Sequence, residues 1–299
     1  MTDRVEIAAP AKVNLRLCIL AREESGYHAL ETVFCAISLG DTIAIQRGDP
    51  GIRLAVEGGV DTGPPARNLA VRAAELFHRE LGEAAAINIH LAKRIPSQAG
   101  LGGGSSDAAA VLRALNALHG DPLPRGALLQ MAIGLGADVP FFLCGSPLAL
   151  AWGRGERLMA LPGLPVRPVL VAKPGWSMPT ADAFGEIARL RGGAYHPRSV
   201  LLGAADVRSW AGVESMAVNE FELAMGPHTD DVRALVEAMR SAGARIALLA
   251  GSGSSVFGVF ENQADRDAAE EVVRAASLSG ELQTWRAETL GRMPEPVVG

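Results

Sequence analysis

The sequence predicts an α+β fold in two domains. Three observations lead there. Apolar and polar residues alternate with period two through about the first 60 positions; apolar residues recur at three- and four-residue steps from position 68 onward; and strands and helices mix without the regular alternation that builds a doubly wound parallel sheet. A chain of 299 residues is long enough to bury a substantial core in each of two domains.

The elements follow in order. Residues 13–20 alternate as a strand, 32–39 are nearly continuously apolar, and 42–46 and 52–56 continue the pattern, with turns at Gly40-Asp41 and Gly48-Asp49-Pro50-Gly51. Asn68 opens a helical pattern carrying Leu69, Val71, Ala73, Leu76 and Phe77, and residues 87–91 return to strand. From Ser105 a helix is expected through Ala108, Val111, Leu112, Leu115 and Leu118, and a second from about 125 to 135, ending at Gly136. Strands resume between about 147 and 172, broken at Pro162-Gly163-Leu164-Pro165, where the chain is expected to cross between domains 1–162 and 163–299. Beyond it, helices are expected over 180–190, 218–225, 230–242 and 264–276, and strands over 246–249, 255–260 and 282–289.

The net charge is −5 and no basic block stands out, so nucleic acid is excluded as an expected partner. Cys18, Cys35 and Cys144 lie far apart in apolar segments, without metal-ligand spacing, as small core residues of a reducing compartment. No signal-peptide pattern and no membrane-length apolar run occurs, and the expected location is the cytoplasm.

The chemistry concentrates at Pro96-Ser97-Gln98-Ala99-Gly100-Leu101-Gly102-Gly103-Gly104-Ser105-Ser106-Asp107, between a strand and a helix. Four glycines in five positions let the backbone approach a ligand closely, and the helix start adds unpaired amides and a positive dipole end. That is an anion cradle, or else a flexible turn with Ser105 or Ser106 as helix cap. No lysine follows Gly104, so it is not a P-loop, and Ser105 stands where a dinucleotide fingerprint needs glycine. A dinucleotide-dependent oxidoreductase is thereby disfavoured.

Lys12 and Asn14 project from one face of an otherwise apolar strand, and Asp138 follows a helix end in Gly136-Ala137-Asp138-Val139-Pro140. Buried charges need partners, so Lys12 and Asp138 are expected to meet, the ammonium holding the carboxylate ionised. As a pair they suit phosphoryl transfer: Asp138 accepts the proton of an attacking hydroxyl, and Lys12 stabilises charge on the phosphoryl group. The plainer alternatives are an aspartate that caps turn amides and a lysine that snorkels at a strand end.

Taken in order, Pro10-Ala11-Lys12-Val13-Asn14-Leu15, Gly26-Tyr27-His28, the Gly-Leu-Gly-Gly-Gly-Ser-Ser-Asp loop and Gly136-Ala137-Asp138-Val139-Pro140 resemble the GHMP-superfamily kinases. Within them, the longer glycine loop resembles the branch acting on a cytidine-diphosphate-linked methylerythritol in non-mevalonate isoprenoid synthesis. The resemblance implies a two-domain fold with the active site in the interdomain cleft, ATP and Mg²⁺ as cosubstrates, and Lys12 and Asp138 as the catalytic pair. It implies phosphate and adenosine contacts from Asn68, Lys93, Pro96, Ala99, Gly100, Leu101, Gly102, Gly103, Gly104, Ser105 and Ser106. Substrate contacts fall to Asn14, Tyr27, His28, Asp138 and Phe184, with Tyr27, His28 and Phe184 on the cytosine ring. Gly251-Ser252-Gly253-Ser254 resembles the family's C-terminal glycine motif, and Asn219-Glu220-Phe221-Glu222 stands where Asn-Asp-Phe-Glu is commoner.

Each of these positions has a plainer structural alternative: helix cap for Asn68, solvated strand end for Lys93, polar turn for Tyr27-His28, helix core for Phe184. The Mg²⁺ ligands and the choice between monomer and homodimer stay open. A kinase for another small alcohol, or a non-catalytic ligand sensor on the same fold, are the competing functions.

Overall fold

The computed structural model describes residues 3–22, 28–59, 63–191, 203, 205–276 and 280–299. Strands β1 (Arg4–Arg22) and β2 (His28–Arg47) pair antiparallel over nearly their full lengths, from Arg4 opposite Gln46 to Arg22 opposite His28. The turn expected at Gly40-Asp41 is absent, and β2 continues through it. The register slips between Pro10 and Ala11 across from this point. A Cβ on Gly40 would lie 3.0 Å from the Ala9 carbonyl oxygen, so glycine lets the strands stay together at the bulge. Asp41 meanwhile accepts from the backbone amides of Arg94 and Ile95. Two turn-forming residues therefore bend a strand instead of ending it.

The bend after β2 leads to β3 (Gly51–Glu57). Helix α1 (Leu69–Leu81) starts on Asn68, whose side chain accepts from the Ala70 amide, and stops at Gly82 with φ +67°. Strand β4 (Ala86–Ala92) then pairs antiparallel with β2 and parallel with β3. Helix α2 (Gly103–Leu118) begins two residues before the expected Ser105, and α3 (Arg125–Leu135) matches its expected span. A short α4 (Val139–Leu143), not anticipated, follows Asp138. Phe77 of α1 and Val111, Leu112 and Leu115 of α2 pack with Ile43, Ile45, Ile87, Ile89 and Leu91 of the sheet in one buried cluster. Each such side chain contributes about 1.5–3 kcal/mol by leaving water.

Hairpin β5 (Leu148–Gly153) and β6 (Arg157–Leu161) extends the same sheet through β2. The chain passes 162–167 without regular structure and enters a second sheet at β7 (Pro168–Pro174). There follow α5 (Thr180–Leu190), α6 (Trp210–Met216), β8 (Val218–Asn219), α7 (Thr229–Ser241), β9 (Ile246–Leu249), β10 (Val256–Val259), α8 (Gln263–Arg274), β11 (Leu282–Glu288) and β12 (Val297–Val298). Among the described residues the second sheet has the order β11-β7-β10-β9, antiparallel throughout. The α5, α7 and α8 helices pack on it through Ile187, Leu235, Met239 and Val273. Val13, Leu15, Val33 and Ile37 join the first sheet to Val169, Val171, Leu248 and Phe257 of the second.

The helix expected over 218–225 is replaced by β8 and a 3-10 turn, Glu220–Ala224. Polar side chains win here over apolar spacing. Asn219 donates to the carbonyls of Leu249 and Gly251 and accepts from the Phe221 amide, while Glu220 accepts from Ile19 N and Arg191. β8 thereby lies parallel to β1, with Leu17 opposite Asn219, and β12 pairs with β1 at Val5 and Glu6. All three cysteines are free and buried, and among the described residues no helix is long and apolar enough to cross a membrane.

Candidate active site

A cleft of about 1160 Å³ opens where β1, the glycine loop, α4's start and the C-terminal half meet. Pro96, Ala99, Gly100, Leu101, Gly102, Gly103, Gly104 and Ser105 line it. Gly100 and Gly102 have φ of +74° and +71°. A Cβ on Gly100 would fall 1.9 Å from the Ala250 carbonyl oxygen, so the loop presses directly on the C-terminal glycine motif. Gly102, not a serine, is the cap residue of α2, and the first turn has neither a side-chain cap nor an acidic residue. Its amides are thus left to an anionic ligand. Ser106 is turned inward: it is 1% exposed, its hydroxyl has no partner among the described residues, and it does not line the cleft.

The alternation of β1 sends Lys12 and Asn14 to the cleft side. Lys12 donates to Asn14 Oδ1 at 2.8 Å and lies 3.5 Å from Asp138 Oδ2 and 5.3 Å over the Phe34 ring. Asn14 is engaged on both side-chain atoms, since Oδ1 also accepts from Gly251 N and Nδ2 donates to Thr32. Thr32 passes the chain on to the Arg16 carbonyl. Asp138 stands at the cap position of α4 but makes no capping hydrogen bond, and its carboxylate, 32% exposed, opens into the cleft. It is therefore not the aspartate that merely caps a turn.

Lys93 is not a solvated strand end. Its ammonium is buried between Asp41 and Asp107, 2.9 Å from the latter. Burial disfavours the charge, but Asp107 and Asp41 outweigh it, and the Lys93 pKa rises. Burial, reinforced by Asp41, raises the Asp107 carboxyl against the pull of Lys93. This trio ties the end of β4 to the second turn of α2 directly behind Gly103, whose Cβ position is 3.3 Å from Lys93 Nζ. Asn68 lines the cleft while also capping α1.

At the other end His28 stacks on Phe184, with ring centroids 4.8 Å apart and planes 13° apart; Phe184 in turn meets Phe221 edge-on at 4.9 Å. Both His28 and Phe184 line the cleft, and Tyr27 lies outside the described residues. Thr180 and Ser252 bridge the rim by a 3.0 Å hydroxyl contact. Sequence reading missed Thr32, Asp41 and Asp107. Asp107, a charge beside a glycine loop in an otherwise apolar helix, was the one that carried a signal.

Two family models match the chain: GHMP kinases N terminal domain over residues 68–146, and GHMP kinases C terminal over residues 198–279. A 4-diphosphocytidyl-2-C-methyl-D-erythritol kinase from Solibacter usitatus is 37% identical over 97% of this chain and 90% of its own length. Its counterpart from Thermus thermophilus is 40% identical over 91% and 93%. A crystal structure of 4-(cytidine 5'-diphospho)-2C-methyl-D-erythritol kinase superposes with TM-score 0.78 at 37% identity, covering 95% of this chain and 98% of that one. A Cytophaga hutchinsonii homoserine kinase shares the fold, with TM-score 0.71 at 21% identity over 100% of this chain and 98% of that one. The chain belongs to the GHMP kinase family and is a small-molecule kinase with ATP as its phosphate donor.

Proposed function

We propose that the chain phosphorylates the 2-hydroxyl of 4-diphosphocytidyl-2-C-methyl-D-erythritol in non-mevalonate isoprenoid precursor synthesis. The observation that carries the reading is a single cleft with the Lys12–Asp138 pair and glycine loop at one end and the His28–Phe184 stack at the other. The cleft's volume exceeds the ~300–1,000 Å³ usual for one ligand, which suits a nucleotide and an extended acceptor held together.

The residues fit ATP and Mg²⁺. An uncapped helix start with no acid in its first turn suits phosphates, and the Asp138 carboxylate and Ser105 hydroxyl offer hard oxygen donors. Bound Mg-ATP supplies the phosphoryl group and part of the charge neutralisation it needs. The α2 amides hold the phosphates, Asn68 and Lys93 lie on the adenosine side, and Asp138 takes the proton from the attacking hydroxyl. Lys12, aimed by Asn14, stabilises the charge on the transferred group, while the His28–Phe184 stack offers the cytosine ring an aromatic face, and the family resemblance assigns Tyr27 to the same ring. A domain boundary at 162/163 and a cytoplasmic location belong to the same reading; the three free, buried cysteines agree with a reducing compartment.

The test is ADP release from Mg-ATP with the cytidine substrate, mevalonate or homoserine as acceptor, with Asp138→Asn alongside. Turnover with the cytidine substrate alone, reduced about 10²–10⁴-fold in Asp138→Asn, is expected. Turnover only with another acceptor removes the cytosine assignments, and nucleotide binding without turnover on any acceptor makes the chain a sensor.

A further inference from the structure

A second cluster of ligating side chains lies at the opposite end of the helical layer. α2 is 16 residues long, so its last turn is about 22 Å from the glycine loop. There His78, in the last turn of α1, Glu83, just past the Gly82 stop, and His119, at the end of α2, bring one ligand atom each to within 4.8 Å of the others.

His78 is 5% exposed, yet neither of its ring nitrogens has a hydrogen-bond partner among the described residues. A buried imidazole with two idle nitrogens is costly unless something else binds it. His119 is oriented for ligation. Its Nδ1 contacts the Leu115 carbonyl at 2.9 Å, a contact that puts the proton on Nδ1 and leaves the Nε2 lone pair facing Glu83, 3.8 Å away. The two rings meet edge to face at 5.5 Å. Glu83 is fixed at the helix end, its amide donating to the His78 carbonyl at 3.1 Å.

Two helix C-termini converge here, and both favour a cation. Arg47 donates to the Leu118 carbonyl at 3.2 Å, and its charge acts in the opposite direction.

We propose that His78, Glu83 and His119 form a binding site for a divalent first-row transition ion of the Zn²⁺ class, clamping the C-terminal ends of α1 and α2. Two imidazoles and one carboxylate suit such ions better than Mg²⁺ or Ca²⁺. Tetrahedral geometry with bonds of about 2.0–2.1 Å puts ligand atoms roughly 3.4 Å apart. The ligand atoms, within 4.8 Å of one another, close to that spacing by small side-chain rotations, of which the exposed Glu83 is the freest, and water completes the shell.

The test is titration of the metal-stripped full-length protein with Co²⁺, read by visible absorption, with Mg²⁺ in excess to mask oxygen-ligand sites. One equivalent is expected to bind and to be displaced by Zn²⁺. Binding weakens about tenfold or more in each of Glu83→Gln, at an exposed side chain, and His119→Gln, at a largely buried one whose fold is checked by circular dichroism. Zn²⁺ is also expected to raise the wild-type melting temperature and leave that of His119→Gln unchanged. No saturable signal at millimolar Co²⁺, wild-type affinity retained in both variants, or intense thiolate charge-transfer bands from the cysteines would overturn the proposal.

Discussion

The side-chain oxygen of Asn14 lies 2.8 Å from the Lys12 ammonium and 3.1 Å from the Gly251 amide, so one amide group aims a charge of the first half and anchors a glycine motif of the second. Replacing Asn14 with Ala removes an acceptor from a cation, worth about 1.5–3 kcal/mol. A fall of about 10–150-fold in kcat is expected, with KM for ATP little changed. Steady-state kinetics separate this from general damage, which would raise both KM values.

Phe184 stacks on His28 on the wall of the cleft. Base–aromatic stacking contributes about 1–3 kcal/mol, so Phe184→Ala is expected to raise KM for the cytidine substrate about 5–150-fold while leaving KM for ATP unchanged. An equal loss on both sides would place Phe184 in the core rather than on the ligand.

Gly100→Ala tests the contact between the two glycine motifs. The added Cβ would meet the Ala250 oxygen at 1.9 Å on a backbone with φ +74°. Strain of about 1–3 kcal/mol is expected, with loss of nucleotide binding measured by calorimetry. Gly134→Ala, on α3 away from the cleft and with nothing within 4 Å of the added Cβ, is the tolerated control.

Glu270 provides a pH signature away from the cleft. Burial opposes its charge, but hydrogen bonds from Thr284, Arg274 and Arg286 prevail and lower its pKa from 4.5 to about 2. A carboxyl depressed in the folded state stabilises the fold above the unfolded pKa and loses that contribution as pH falls through the folded one. The stability advantage of wild type over Glu270→Gln is therefore expected to be full above pH 4.5 and to vanish towards pH 2. Chemical denaturation of both proteins across that window measures it.

The glycine loop and the Lys12–Asp138 contact were legible because each breaks a local rule: glycines crowd a helix start, and charges interrupt apolar runs. The Gly40-Asp41 bend was not legible, since turn residues look alike whether they end a strand or accommodate a bulge. Residues 218–225 misled for a related reason. Their apolar spacing is helical, but Asn219 and Glu220 bind backbone groups of β1, β9 and the segment after it, partners that adjacency in sequence does not reveal. The Lys93–Asp41–Asp107 trio joins three segments spread over more than 60 positions, and only the folded sheet brings them together.

The strand that bears Lys12 and Asn14 is made well before two of its partners, β8 and β12, which lie in the last third of the sequence. A nascent chain stalled before Val218 can form the β1–β2 ladder but has no Asn219 and no Gly251 to fasten its catalytic face. Completion of the cleft thus waits on segments synthesised long after β1, and its assembly depends on slow long-range pairing.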